Sequence, residues 1–251
     1  EPQTNKPPVI LFGDTFNRSF ETKNLYAARQ VLESMGFEVI EPKPENRPAC
    51  CGRTFLAAGL VDQAKKEAAR FVSTVMPWIR RGVPVVGLEP SCLLTLRDEF
   101  RVLLPGEDAK LLADNAFLFE EFIESELIAE NVSLNLIESQ CAEVLVHGHC
   151  HQKAARAMGS VESLLKRIPG LKVSIIESSC CGMAGHFGYQ KETLEESLAM
   201  AEISLLPAIR KANPKARFVA DGTSCRHQIA DNSSHNAEHV AVFLAEHLKR
   251  D

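Results

Sequence analysis

The 251-residue sequence contains no apolar run long enough to cross a membrane. A membrane-spanning helix needs about 20 mostly apolar residues, whereas the longest apolar runs here, such as Val83–Leu88, have the length of a strand. The start, Glu1–Lys6, lacks both a methionine and the charged-then-apolar pattern of a secretory signal. We therefore expect a cytoplasmic protein with no membrane span, either free or peripheral on the inner membrane. We interpret the chain as a segment or a processed form of something longer.

A surplus of basic residues is also missing. The sequence has 28 Lys and Arg against 33 Asp and Glu, a formal net charge of -5. Nucleic acids and anionic lipids attract basic patches, so neither is a predicted partner. The hydrophobic fraction of 45% is enough to bury a substantial core. The chain should therefore fold without disulfides or a structural metal.

Cysteine, in contrast, is plentiful and occurs in adjacent pairs. Two of the eight cysteines form the doublet Cys50-Cys51-Gly52 and two more form Cys180-Cys181-Gly182. Adjacent cysteines rarely bond to each other, because the bridge would strain its dihedral angle and its Cα spacing. Each doublet is therefore expected to have another partner.

An internal repeat explains why the doublet occurs twice. Val9–Phe16 can be laid on Val144–His151, which places Thr15 on Cys150. The pattern also matches Val39–Glu41 with Ile175–Glu177, the two doublets after an insertion of about Pro42–Arg47, and Pro90–Cys92 with Thr223–Cys225. The prediction is two repeats, residues 1–130 and 131–251, with the joining segment in the first.

Each repeat alternates short apolar runs with helical-period segments, which predicts an α/β fold. The predicted strands are 9–12, 37–40, 83–88, 143–147, 172–176 and 216–220. Such alternation indicates parallel strands with helices on both faces, so we expect two tandem, pseudo-symmetric Rossmann-like units. Residues 114–130 are predicted to form a joining helix and 237–248 a final helix. Pro77 and Pro207 should kink or interrupt their helices at equivalent places.

The cysteines of the second repeat follow its predicted strands. Cys150 follows the first strand, Cys180 and Cys181 the second, and Cys225 the third. The carboxyl edge of a parallel sheet is where ligands usually bind, and the helix N-termini at that edge stabilise thiolates. Four convergent thiolates predict a metal site, and both iron–sulfur clusters and zinc accept four sulfurs. Free thiols that act in catalysis or disulfide exchange are the third alternative.

At this point the sequence resembles the CCG cysteine-rich family, typified by the B subunit of heterodisulfide reductase and by iron–sulfur subunits of glycolate, lactate and glycerol-3-phosphate oxidising systems. The runs Gly87–Glu99, His147–Lys153 and Cys180–Tyr189 are more narrowly similar to the carboxyl-terminal part of FAD-linked D-2-hydroxyacid and D-lactate dehydrogenases. The resemblance implies a 4Fe-4S cluster on Cys150, Cys180, Cys181 and Cys225. It also implies electron transfer from FAD, on a missing domain or a partner flavin-binding subunit, to an acceptor.

The sequence departs from the family pattern in one respect. Members often end the motif in CxxC, but the first of those positions is Glu89 in the first repeat and Gly222 in the second. The second repeat thus has four thiol ligands at most. The first repeat offers a possible second site of Cys50, Cys51 and Cys92 with Thr15 in place of the fourth thiol. It is either a vestige or a centre with an open or oxygen-ligated iron.

Histidines and arginines near the cysteines are candidates for a supporting role. They could donate hydrogen bonds to sulfur, offset negative charge or face a partner. The candidates are His149, His151, His186, His227, Arg53 and Arg226. Cys141 has no counterpart in the first repeat and is left outside the site, and His235, His239 and His247 are expected to be solvated.

Three function classes stay open from the sequence: an electron-relaying part of a flavin-linked oxidoreductase, a thiol-dependent catalyst that acts on disulfides, and a zinc-stapled interaction module. The colour and metal content of anaerobically purified protein separate them. Brown protein that bleaches with reductant supports the first, colourless metal-containing protein the third, and colourless metal-free but alkylatable protein the second.

Overall fold

The computed structural model describes residues 6–42, 44 and 47–249. The chain divides into two compact units, Glu1–Leu134 and Asn135–Asp251. The sequence start and part of the predicted insertion at 42–47 lie outside the described residues. Within the described ranges no helix combines the length and the apolarity that a membrane crossing requires.

The first unit is a parallel sheet covered by helices. Its strands are β1 (Pro8–Phe12), β2 (Glu38–Ile40), β3 (Val85–Gly87) and β4 (Ala116–Leu118). Its helices are α1 (Thr15–Ser19), α2 (Thr22–Ser34), α3 (Arg53–Ala57), α4 (Val61–Ile79), α5 (Pro90–Arg97), α6 (Glu99–Leu103), α7 (Glu107–Asp114) and α8 (Phe119–Ile128). The strand order is β2-β1-β3-β4 and every pair is parallel.

The second unit repeats this arrangement. Its strands are β5 (Glu143–Val146), β6 (Lys172–Ile175), β7 (Arg217–Val219) and β8 (Ala237–Glu238). Its helices are α9 (Cys150–Ala154), α10 (Met158–Lys166), α11 (Leu194–Ile203), α12 (Leu205–Lys211), α13 (Thr223–Asn232) and α14 (Val240–Glu246). The order β6-β5-β7-β8 is again all parallel. The predicted α/β class and the two similar repeats are therefore confirmed.

The register of the strands supports the repeat and corrects one detail of it. Ile10 pairs with Val85 in the first sheet as Leu145 pairs with Phe218 in the second, in agreement with the sequence match. Val9, however, pairs with Val39, and its counterpart Val144 pairs with Val173 rather than Ile175. The sequence match of β2 was thus shifted by two residues, because side chains alternate with a period of two along a strand and such a shift keeps the same pattern.

The fourth strand of each sheet was missed in the sequence. Residues 116–118 and 237–238, expected to be helical, form β4 and β8 instead. Each of these strands is short and runs almost directly into a helix, so its apolar residues continue the helical pattern.

The two prolines that were predicted to kink or interrupt their helices differ in outcome. Helix α4 continues through Pro77, whereas the helical segment before Pro207 is interrupted at Ser204.

Two of the three histidines expected to be solvated are buried instead. His239 is fully buried, and its Nδ1 accepts a hydrogen bond from the backbone of Ala241 at 3.0 Å, which caps α14. His247 is also buried, with Nδ1 2.7 Å from the Phe243 carbonyl. The expectation was wrong because these rings satisfy backbone groups at the two ends of α14 rather than facing water.

The strand order fixes where a site can form. The chain passes from β1 to β2 on one side and then to β3 on the other, so the carboxyl ends of β1 and β3 flank a switch point of the sheet. β5 and β7 flank the equivalent point in the second unit. Crevices at such points are the usual ligand sites of parallel α/β sheets.

Candidate metal centre

The second unit brings its four predicted thiols into one connected group. Cys150 opens α9, Cys180 and Cys181 follow β6, and Cys225 lies in the first turn of α13. The sulfurs of Cys181 and Cys225 are 3.5 Å apart. Cys180 is hydrogen-bonded to both Cys150 and Cys181. The group runs from exposed Cys150 to fully buried Cys225.

The inner end of this group is part of the hydrophobic core. Cys181 and Cys225 pack with Met183, Phe218 and Ile229 in one cluster of buried residues. Apolar surroundings disfavour an isolated thiolate, so negative charge on these sulfurs has to be offset by nearby donors or a cation.

Hydrogen bonds between the thiols shift their pKa values in opposite directions. The hydrogen bond from Cys150 holds the pKa of Cys180 well below the ordinary thiol range, and the same bond raises the pKa of Cys150. The hydrogen bond with Cys181 likewise lowers the pKa of Cys225, with help from the adjacent His147 and His149. The pKa of Cys181 is raised, first by its hydrogen bond to Cys180. The neighbours therefore favour the ionised form of Cys180 and Cys225 over that of Cys150 and Cys181.

His147, which sequence reasoning overlooked, lies beside the inner thiols. It directly follows β5 and is 2% exposed. One of its ring nitrogens and the sulfurs of Cys181 and Cys225 lie within 4.8 Å of one another. A signal was present in the sequence, since His147 is the last residue of the predicted strand 143–147 that leads into the site, but it matches Phe12 in the first repeat and drew no attention.

His149 caps the helix that carries Cys150. Its Nδ1 accepts a hydrogen bond from the His151 backbone at 3.1 Å, and Gln152 Oε1 accepts one from the His149 backbone at 3.1 Å. The ring also explains the glycine at 222, because a Cβ there would lie 2.3 Å from His149 Cδ2. Position 222 can thus hold no side chain while His149 keeps this position.

A buried polar contact ties the helix of Cys150 to the loop before Cys225. Gln152 Nε2 donates to Asp221 Oδ2 at 2.8 Å, and Asp221 Oδ1 accepts from the backbone of Val240 at 2.9 Å. Lys153 makes a second tie, since its Nζ donates to the Ser178 and Ser179 carbonyls just before Cys180. These contacts hold the three thiol-bearing segments in one arrangement.

Of the other residues predicted to support the site, some lie beside the thiols and others do not. His151 lies with His149 and Cys150 in a group whose ligand atoms are within 4.8 Å of one another. His186 is exposed, and His227 Nδ1 lies 2.6 Å from the Tyr189 hydroxyl. Arg226 is 4% exposed and donates to the Ala220 carbonyl and to Thr223. The expectation that Arg226 faces a partner was therefore wrong, because its guanidinium satisfies a buried loop.

The first unit assembles its three thiols in the same way. Thr15 Oγ1 lies 4.0 Å from Cys50 Sγ, which also accepts a hydrogen bond from the Gly52 backbone at 3.4 Å. Cys51 is hydrogen-bonded to both Cys50 and Cys92. The backbone of Arg53 donates to Cys51, while its guanidinium pairs with Glu99 at 2.5 Å.

The thiols of the first unit have acidic neighbours, whereas those of the second unit have basic ones. Asp14 and Glu89, both buried, lie near Cys92 where the second unit has His149 and Gly222. A hydrogen bond from Cys51 lowers the pKa of Cys92, but burial and the charges of Asp14 and Glu89 outweigh it and raise the pKa to about 11. Burial, followed by the charge of Glu89, raises the pKa of Asp14 to about 6. The surroundings of this site therefore disfavour additional negative charge.

Cys141 lies apart from these contacts. Its sulfur is 3.3 Å from Ser139 Oγ, within the same short loop. Among the described residues, the groups with metal-ligand geometry do not include it.

Comparison with known proteins agrees with this picture. The model of the CCG family, described as a cysteine-rich domain, matches residues 15–97 and 144–230. Each matched segment contains one doublet and the cysteine that follows the third strand of its unit.

Three curated relatives have names that refer to oxidation or use of hydroxylated substrates. One subunit of the anaerobic glycerol-3-phosphate dehydrogenase of Escherichia coli K12 is 31% identical over 87% of this chain and 54% of its own length. D-2-hydroxyglutarate dehydrogenase of Pantoea ananatis is 26% identical over 95% of this chain and 22% of its own length. Lactate utilization protein A of Bacillus velezensis is 27% identical over 78% of this chain and 81% of its own length.

The chain thus spans about half of the first relative and less than a quarter of the second. The family model covers both halves, including the four thiols of the second unit and the three of the first. The chain belongs to the CCG family of cysteine-rich domains.

Proposed function

We propose that the second unit holds one 4Fe-4S cluster on Cys150, Cys180, Cys181 and Cys225, and that the chain relays electrons from a flavin to an acceptor. The observation that carries the proposal is the connected group of four thiols at the switch point of the sheet, with Cys181 and Cys225 at 3.5 Å. Four soft sulfur donors fit iron–sulfur ligation. When bound, such a cluster would supply one-electron transfer.

The residues around the second-unit thiols favour a negatively charged centre there. Lys153 is half-buried, and its pKa is lowered by burial against the opposing charges of the four cysteines. His147 and His149 lie beside Cys225. A cation and two imidazoles can offset the charge of four thiolates, as donors around metal ligands commonly do.

The first unit is proposed to hold no cluster. It offers three thiols and Thr15, with the carboxylates of Asp14 and Glu89 close to Cys92. Loss of one thiolate weakens iron–sulfur binding, and two buried carboxylates add repulsion toward an anionic centre. Iron bound to the first unit, with one open or oxygen-ligated position, is the result that would contradict this part.

The flavin, FAD, is proposed to reside on another part of a longer polypeptide or on a partner subunit. A two-electron cofactor is needed to oxidise an organic substrate before electrons can pass singly. The names of the relatives, which include glycerol-3-phosphate and D-2-hydroxyglutarate dehydrogenases, support a flavin-linked dehydrogenase. A 2-hydroxyacid is the proposed substrate class, because the names of two of the relatives refer to D-2-hydroxyglutarate and lactate, which are 2-hydroxyacids.

The decisive experiment is metal analysis of anaerobically purified protein. We expect about four iron and four sulfide per chain, with a brown colour that bleaches on reduction. Cys225→Ala should lose both iron and colour, whereas Cys92→Ala, the equivalent change in the first unit, should keep them. Zinc without sulfide would indicate the interaction-module alternative, and metal-free protein with reactive thiols would indicate a thiol catalyst.

The relay role requires a second measurement on the intact dehydrogenase that contains this chain. With a D-2-hydroxyacid and an artificial acceptor, Cys180→Ala should still allow flavin reduction but should lose electron passage to the acceptor. Turnover of a hydroxyacid by the 251-residue chain alone, or normal electron passage in Cys180→Ala, would rule out the relay.

A further inference from the structure

The four thiols of the second unit differ widely in their access to solvent. Cys150 is exposed and Cys180 is partly buried, whereas Cys181 and Cys225 are 4% and 1% exposed. Reagents dissolved in water reach exposed thiols, while fully buried ones stay inert. Cys150 is therefore the thiol of this group that an external molecule meets first.

The helix that carries Cys150 is held mainly by polar contacts. Of the five residues of α9, all of which the structure describes, Gln152 is the one that is fully buried. Gln152 is hydrogen-bonded to Asp221, and Lys153 to the Ser179 carbonyl. Segments with few buried apolar contacts open at a low cost in free energy. The end of α9 can thus move locally while the rest of the unit stays folded.

The other three thiols are held by the interior of the unit. Cys181 and Cys225 belong to its cluster of buried hydrophobic residues. The Cys181 carbonyl also accepts a hydrogen bond from Gln228 Nε2, which is buried, at 2.8 Å. Cys180 directly precedes Cys181, and its Sγ accepts from the Gly182 backbone at 3.3 Å. Displacement of these sulfurs requires disruption of core packing, which costs more than the opening of a surface segment.

The first unit shows the same order of burial at the equivalent positions. Thr15 is exposed, Cys50 is partly buried, and Cys51 and Cys92 are buried. The position of the four where the first unit has no thiol is thus the exposed one. The other three positions keep both their cysteines and the hydrogen bonds between them. Loss of the sulfur at the exposed position is therefore compatible with the packing of the remaining three.

We propose that Cys150 is the exchangeable ligand of the metal centre, whose sulfur is released and replaced while Cys180, Cys181 and Cys225 keep their bonds to iron. The inference rests on the proposed function, because it takes the centre to be a cluster held by these four thiols. With iodoacetamide as the reagent, the Cys150 sulfur gives up its bond to iron, takes the alkyl group and releases iodide. A solvent molecule takes its place on the iron. No electron is transferred, so the exchange requires no oxidant.

The test is timed alkylation of the anaerobically purified, metal-loaded 251-residue chain. After brief exposure to iodoacetamide, the protein is unfolded with a chelator and the remaining thiols are labelled with a heavier isotopic form of the reagent. Peptide mass spectrometry then gives the reacted fraction of each cysteine. Cys150 should react at least tenfold faster than Cys225. Protein labelled at Cys150 alone should keep its sulfide and at least about three iron, and this retention is the decisive result.

Cys141 is the matched control for the reagent. It is a partly buried thiol outside the groups with metal-ligand geometry among the described residues. Its rate of alkylation should be the same in metal-loaded and metal-free protein. The rates of Cys180, Cys181 and Cys225 should instead rise when the metal is removed.

Two variants test the same difference by chemical rescue. Cys150→Ala should keep part of the iron and sulfide, and added 2-mercaptoethanol should restore the visible spectrum of the wild type, because the vacant position opens to solvent. Cys225→Ala should hold no iron, and the added thiol should restore nothing, because this position is closed by the core.

Simultaneous labelling of the four cysteines with loss of all iron, or labelling of Cys225 before Cys150, overturns the exchangeable ligand and leaves the proposed function standing. A wild-type chain that binds no iron and sulfide overturns the proposed function and the exchangeable ligand together. The order of labelling is measured on wild-type protein, so it decides the matter even if a variant misfolds.

Discussion

Replacement of Gly182 by alanine should destabilise the second unit far more than the same replacement three residues later at Gly185. Both glycines have a positive φ, +91° and +71°. They differ in the space around them. A Cβ at Gly182 would lie 2.1 Å from the Ser197 carbonyl oxygen, whereas a Cβ at Gly185 would have no neighbour within 4 Å.

The comparison separates backbone strain from steric overlap. Alanine in the left-handed region costs about 1–2 kcal/mol, which both variants share. The overlap at Gly182 involves the backbone of helix α11 at its buried residue Ser197, and backbone cannot rotate away as a flexible side chain can. Overpacking of this kind costs about 1–3 kcal/mol more, so Gly182→Ala should lose about 2–5 kcal/mol in total and Gly185→Ala about 1–2 kcal/mol.

Urea unfolding of metal-free protein, followed by circular dichroism, measures the difference. Trp78 is the one tryptophan of the sequence and lies in the first unit. Its fluorescence therefore reports the first unit, and that transition should not move. Equal losses in the two variants, within about 0.5 kcal/mol, would refute the steric explanation of the glycine in the second doublet.

Two further predictions concern buried polar groups. Burial raises the pKa of Glu67, but hydrogen bonds with Arg70 and Arg47 outweigh it and lower the pKa below its usual 4.5. The ionised carboxylate therefore stabilises the fold above that pH, and this contribution is lost as the pH falls through the lowered pKa. Glu67→Gln should therefore flatten the acid limb of a stability–pH profile measured by urea unfolding, and a profile parallel to wild type would contradict the pairing. Asp221→Ala leaves the donors of Gln152 and Val240 without their acceptor and should cost about 2–4 kcal/mol in the same assay. Asp231→Ala, an exposed aspartate in the same unit, should stay within about 0.5 kcal/mol of wild type, and a similar loss in both variants would argue against the buried contact.

The repeated α/β architecture was predictable because its signals are local. Six strands followed from apolar runs, and the placement of Cys150, Cys180 and Cys225 after three of them followed from the parallel arrangement that those runs imply. The strands β4 and β8 could not be recognised, since two or three residues that lead into a helix carry no period of their own.

The burial of a side chain and its hydrogen-bond partners were harder to predict from the sequence than its position along the chain. The sequence places Arg226 next to Cys225, but only the fold shows that its guanidinium turns to the Ala220 carbonyl. His147 was missed for a related reason, because its closeness to Cys181 and Cys225, which are distant in sequence, becomes evident only in the folded chain. Contacts between segments decide such roles, and the local pattern does not contain them.

The close fit of the His149 ring against Gly222 constrains how the two repeats could have diverged. A side chain at position 222 would overlap the imidazole, with Cβ only 2.3 Å from Cδ2, whereas the first repeat keeps Asp14 and Glu89 at the matching positions. A chain that gained the imidazole while a larger residue still stood at 222 would pass through an overlapped, destabilised intermediate. A chain that first changed position 222 to glycine would not. A path that avoids the overlap therefore brings in glycine before histidine, and a return to the other pattern by such a path loses the histidine first.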